Sequence, residues 1–209
     1  MKNNFNATII KSRNIFYIIL SLVLLISCVS IEYEYDVIFD KENSFKREID
    51  PKTLNGKVFK VYNGKRYEIG LLEEGKKSGK WLLRYQNGNQ REQINYYNGV
   101  KNGLSINWYP DGKKKIQGEF FEGNPTGSYT EWYTNGKKSV VGIFKNGVEN
   151  GKSTRWYRNG IKKQEGSFTN GKKDGIWIWW YDNGIKKQEG EYINGKFNLK
   201  QKWLNTKSS

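Results

Sequence analysis

Two stretches decide the fold: GSYTEWYTNGKKSVVGIFKNG at residues 127–147 and GIWIWWYDNGIKKQEGEYING at residues 175–195. Laid one over the other, they keep glycines and aromatics at the same places. Working outward, the opening glycine recurs at Gly79, Gly103, Gly127, Gly151 and Gly175, a constant step of 24 residues. Tyr85, Tyr109, Tyr133, Tyr157 and Tyr181 follow at one offset, then Gly88, Gly112, Gly136, Gly160 and Gly184, each after Asn or Asp. Gly118, Gly142, Gly166 and Gly190 share a later offset, where Ile94 is the exception. Gly99, Gly123, Gly147, Gly171 and Gly195 come near the end of each unit. A weaker copy begins at Asn55, so six units fill residues 55–198 without insertion. Of the 23 glycines only Gly56 lies off the pattern. Fixed-period similarity of this kind marks a stack of like supersecondary units.

Each unit reads as two short strands. The first, such as Trp177 to Tyr181, stops at Asn183-Gly184, the dipeptide of a tight hairpin. The second, such as Lys187 to Tyr192, stops at Asn194-Gly195, and a slightly longer turn leads on. The expected fold is all-β: an elongated, single-layer antiparallel β-meander of six 24-residue hairpin repeats, about a dozen strands in all. At ~4.8 Å per strand it would run ~55–60 Å, and each repeat would advance it ~10 Å. A single layer has nothing to bury its rings against. The tyrosines Tyr109, Tyr133, Tyr157 and Tyr181 and the second-strand aromatics are therefore expected over the bare backbone of Gly118, Gly142, Gly166 and Gly190.

Composition narrows the chemistry. The 209 residues are 36% hydrophobic but 15% aromatic, which argues against disorder. The absence of histidine removes the commonest general base and metal ligand. One cysteine excludes an internal disulfide or a Cys-rich metal site. No nucleophile elbow or phosphate loop occurs, and the array carboxylates are scattered. The chain is read as no enzyme, with no cofactor, metal or catalytic residue.

The N-terminus carries Lys2, Lys11 and Arg13, then an apolar run from Ile15 to Ile26. That length suits a signal peptide better than a membrane span. The run ends in Leu25-Ile26-Ser27-Cys28, which resembles a bacterial lipobox. The resemblance implies removal of residues 1–27, lipidation of Cys28 and anchoring in the bacterial cell envelope. Residues 28–54 read as an acidic tether with a candidate capping strand: Ile31 to Phe39 alternates with period two and would pair with an edge of the array. A flexible spacer is the competing reading. Residues 199–209 form a C-terminal cap or tail.

Two surfaces could bind. Net charge is +15, and lysines cluster after the first turn of each unit, including Lys114, Lys138, Lys162 and Lys186. Such a rim would attract an anionic envelope component or an acidic protein, or it would simply keep sheet edges from aggregating. Trp108, Trp132, Trp156 and Trp180 form a column directly before the tyrosines, so the two columns face opposite ways. The tryptophans would either grip a partner or pack structurally. Nucleic acid is an unsuitable partner for an exported chain.

The two quoted stretches resemble the MORN-repeat variant family, of the type found in bacterial proteins labelled YwqK-family antitoxins. The resemblance covers residues 55–198 and implies an elongated β-sheet used as a binding or assembly surface. Three functions follow as expectations. The first is a membrane-anchored lipoprotein with a non-catalytic binding surface. The second is an antitoxin or immunity protein with a toxin partner, and the third a self-associating structural envelope protein.

Overall fold

The computed structural model describes residues 31–39, 44–47 and 49–198. The expected leader (1–27), the lipidation candidate Cys28 and the tail (199–209) lie outside the described residues.

Within them the chain forms one sheet of 15 strands. They are β1 (Glu32–Glu34), β2 (Gly56–Tyr62), β3 (Lys65–Glu73), β4 (Lys76–Arg84), β5 (Gln90–Tyr97), β6 (Val100–Trp108), β7 (Lys114–Phe121), β8 (Asn124–Trp132), β9 (Lys138–Lys145), β10 (Val148–Glu149), β11 (Gly151–Trp156), β12 (Lys162–Thr169), β13 (Lys172–Trp180), β14 (Lys186–Ile193) and β15 (Lys196–Phe197). From β2 onward neighbours in sequence are neighbours in the sheet, all antiparallel; β10 and β11 share the place beside β9. The meander expected from the repeat is thus present, open and single-layered.

Two details differ from expectation. The tight turns are the ones near the unit ends. Asn98 and Gly99 both take positive φ, 50° and 81°, and Asn194–Gly195 repeats this at 51° and 82°. Such mirror-image two-residue turns match the twist of the strands they join. The other Asn-Gly pairs sit in wider loops. At Tyr85–Asn89 the Tyr85 N–H donates to the Asn89 carbonyl (2.8 Å) and the Gly88 N–H to the Tyr85 carbonyl (2.9 Å). The Asn87 side chain accepts the Asn89 N–H at 3.0 Å. That side-chain bond holds the asparagine in a local turn at negative φ, so the dipeptide alone does not specify the hairpin.

The second difference concerns the rings over the glycines. A Cβ at Gly70 or Gly166 would collide with the indole of Trp81 or Trp177; one at Gly142 or Gly190 would collide with Tyr129 or Phe197. The indole N–H of Trp81 donates to the Leu71 carbonyl (3.2 Å) and that of Trp177 to the Ser167 carbonyl (3.1 Å). The covering rings come from the second residue after the opening glycine, or from β15, and not from the recurrent tyrosines. The opening glycine explains this: Gly79, Gly127 and Gly175 take φ of 63°, 64° and 71° inside their strands. There the ladder breaks register, as at Glu165/Ser167 opposite Gly175, and the bulge re-aims the residue that follows.

The N-terminal segment pairs with an edge of the array as the capping strand was expected to, but only over Glu32–Glu34. β1 runs parallel to β2, with Tyr33 opposite Val58. After Glu34 the chain turns into a single helical turn, α1 (Tyr35–Ile38). Tyr35, Ile38 and Phe39, spaced by three and four, are buried with Leu54, Val58, Tyr62, Ile69, Leu72 and Trp81; Phe45 and Ile49 pack against them. Arg66 ties β1 down through Glu32 (3.0 Å) and Glu34 (2.5 Å). Alternation broke because one helical turn gathers Tyr35, Ile38 and Phe39 on a single buried face and leaves Asp36 and Val37 exposed. Among the described residues no helix is long and apolar enough to cross a membrane.

Candidate binding surfaces

Side chains alternate across each strand, so the sheet has two different faces. One carries the rings over glycine, among them Trp177 over Gly166, which packs with Phe168, Trp179 and Tyr192 under the Lys173 ammonium. The other carries Trp108, Trp132, Trp156 and Trp180, each half-buried. Among the described residues no ring pair links one of these four to the next. They form a ladder of separate rings.

A bulge in every unit sets lysines against this ladder. Trp132 pairs with Lys138 and Glu131 with Val140, leaving one extra residue on β9. The same bulge at Trp108 pairs it with Lys114. Lys114 then lies 5.9 Å above the Trp132 ring of the next unit, and Lys162 lies 5.7 Å above Trp180. The following lysines turn to the tyrosines, Lys115 over Tyr109 and Lys163 over Tyr157. Such pairs contribute about 0.5–1 kcal/mol each at exposed sites.

The basic rim is partly neutralised. Lys162 meets Glu165 at 3.0 Å and Lys186 meets Glu189, whereas Lys114 keeps its charge and donates to the neutral Gln117 amide at 2.8 Å. Burial works against ionising Glu165, yet hydrogen bonds from Lys162 and Thr154 hold its carboxyl below the usual range. Lys138 is exposed. The lysines therefore act as local caps on rings as much as a continuous field.

The recurrent tyrosines have a structural task. The hydroxyls of Tyr85, Tyr109, Tyr133 and Tyr157 donate to the carbonyls of Trp108, Trp132, Trp156 and Trp180 at 2.7, 2.7, 2.7 and 2.9 Å. Asn87, Asn135 and Asn159 reach the next wide turn in the same way, at 2.9, 2.8 and 2.7 Å. Each wide turn is thus stitched to its successor, which fixes the carbonyl side of every ladder tryptophan. Nothing in the repeat spacing discloses this reach of 23 residues; only the phenol oxygen, which phenylalanine lacks, hints at it.

Where the N-terminal core meets the array, a cleft of about 850 Å³ lies between Tyr35, Tyr62, Lys60, Arg84 and Arg91. Asp36 in its wall is paired with Lys60 at 2.5 Å. Burial pushes the Tyr35 hydroxyl up to about 12. Among the described residues no three acidic or cysteine side chains gather as a metal site requires.

No curated protein matches the chain. Residues 101–121, 149–170 and 173–194, which fall on β6–β7, β10–β12 and β13–β14, match the family model described as the MORN repeat variant, so three of the hairpin units are similar to repeats of that kind.

Proposed function

We propose that the array is a non-catalytic binding scaffold whose tryptophan face captures a protein or an anionic component at a bacterial envelope. A lipid on Cys28 would hold it at the membrane. The observation that carries this reading is the ladder Trp108, Trp132, Trp156 and Trp180: four half-buried rings at one repeat position, not stacked on one another, with Lys114 and Lys162 above two of them. Half-exposed tryptophans beside cations are typical anchors of binding surfaces. Replacing Trp132 and Trp156 together by alanine is expected to abolish partner capture from solubilised envelopes while the protein still melts cooperatively. Retained capture, or outright unfolding, would make the ladder structural and sink the reading. For the anchor, Cys28→Ser is expected to release the chain from the membrane fraction and to stop incorporation of labelled palmitate.

The immunity reading is supported by the resemblance alone. Its test is a toxin gene beside this one and protection of intoxicated cells by the chain.

A further inference from the structure

On the ring face, one row crosses the sheet at the bulges. It runs Gly70, Trp81, Ile94, Ser105, Gly118, Tyr129, Gly142, Ser153, Gly166, Trp177, Gly190 and Phe197, with Trp81 opposite Ile94, Ile94 opposite Ser105 and Ser105 opposite Gly118. Four glycines of this row lie under a ring. Gly118 does not: a Cβ there would find only the Cβ of Tyr129 at 3.3 Å and its Cα at 3.9 Å. The Tyr129 ring leans the other way, onto Gly142, and its hydroxyl donates to Glu149 at 2.6 Å. That bond keeps the ring off Gly118. Ser105, beside the bare glycine, is nine-tenths buried, and among the described residues its hydroxyl has no partner.

The uncovered seat opens into a groove of about 520 Å³ walled by Phe120 and Tyr129. Its charge is opposite to that of the chain. Glu92, Glu119, Glu131 and Glu149 line it against Lys101 and Arg155, in a protein of net charge +15. Lys101 is engaged over the Phe120 ring at 5.1 Å.

The filled seats show what fits. At Gly166 a fully buried indole lies on the backbone, its N–H bonds the carbonyl of the next residue, and the Lys173 ammonium caps the ring at 4.2 Å. At Gly70, Trp81 and Lys77 do the same, with the ammonium at 4.9 Å. We propose that the seat over Ser105 and Gly118 takes an aromatic side chain, tryptophan best, which a partner protein carries next to a lysine or arginine. The ring would lie on Gly118 beside Ser105, with the Glu119 carbonyl as its polar contact, as the Leu71 and Ser167 carbonyls are at the filled seats. The neighbouring cation would answer the groove carboxylates. An anionic partner is disfavoured by those carboxylates.

The test uses the full chain and a capped Lys-Trp-Lys peptide, followed by calorimetry and by amide shifts. The expected result is binding that moves the Ser105 and Gly118 amides, with Lys-Ala-Lys and Glu-Trp-Glu at least about tenfold weaker. Gly118→Ala raises the floor by one methyl and is expected to weaken Lys-Trp-Lys by at least about tenfold without changing the circular dichroism. Should that variant not fold, the double change Glu119→Gln, Glu131→Gln is expected to weaken the peptide severalfold and to flatten its salt dependence. Equal binding of Lys-Ala-Lys, shifts confined to other residues, or no binding at about 1 mM peptide would overturn the proposal.

Discussion

The N-terminal end and the repeat array solve the same problem in different ways. At the N-terminal end, α1, the 3₁₀ turn at Pro51–Thr53 and β2–β4 enclose Tyr35, Ile38, Phe39, Leu54, Val58, Tyr62, Ile69, Leu72 and Trp81. Beyond that cluster the buried hydrophobic residues, among those described, are Ile94, Ile106 and Trp177. The first region has a second layer, made by a segment outside the 24-residue repeat. The array has none. It covers backbone with rings, and it stitches wide turns together with tyrosine hydroxyls. A periodic sequence cannot place a core in one spot, so it repeats a small local solution instead.

The largest effects should come from the residues that do this covering. Trp177→Ala is expected to cost about 3–5 kcal/mol in chemical denaturation. Hydrogen exchange should speed up over β11–β15 while β2 and β3 keep their protection. Leu72→Ala is expected to cost about 2–5 kcal/mol with the opposite distribution. If both variants melt the whole sheet uniformly, the two regions are one cooperative unit and the contrast fails.

Next in size is a contrast between two glycines. Gly166→Ala drives a methyl into the Trp177 indole and is expected to cost about 1–3 kcal/mol, whereas Gly118→Ala meets only Tyr129 Cβ at 3.3 Å and should cost less. Denaturation midpoints of the two variants decide it.

Smaller still is the tyrosine stitch. Tyr109→Phe removes a 2.7 Å hydrogen bond and is expected to cost about 1 kcal/mol in denaturation. Tyr181→Phe should cost almost nothing, because among the described residues its hydroxyl has no hydrogen bond. Equal losses would contradict an inter-repeat stitch.

The smallest effect concerns alkaline pH. Burial, reinforced by the bond to Glu149, holds the Tyr129 hydroxyl above its ordinary value of 10.0. The folded chain thus keeps this proton longer than the unfolded chain. The stabilisation is complete below about pH 10 and is lost as pH rises towards the raised value. Lys77 and Lys173, lowered by burial, shift stability the other way, equally in both proteins. Tyr129→Phe is therefore expected to lose less stability than the parent between pH 10 and 12, measured as melting temperature.

The constant glycine step made the meander and its strand order legible from residues alone. The turn types were not, because Asn-Gly occurs at both ends of each strand. What separates them is the Asn87 side chain accepting a backbone N–H, a choice between two local hydrogen bonds. The glycine covers were hidden because the second residue of the unit varies as Trp81, Ser105, Tyr129, Ser153 and Trp177. Attention to invariant positions passes over the one place where rings and small residues alternate. The groove follows from that variation. The N-terminal core escaped because Ile31 to Phe39 satisfies period two on paper, while Tyr35, Ile38 and Phe39 also satisfy helical spacing.

Residue-by-residue native-state hydrogen exchange tests the central contrast most directly. The expected result is two maxima of protection, one over residues 56–72 and one around 166–178, with faster exchange at residues 104–118, where Gly118 lies bare. A single plateau across the sheet, or its peak at Ser105 and Gly118, would contradict it.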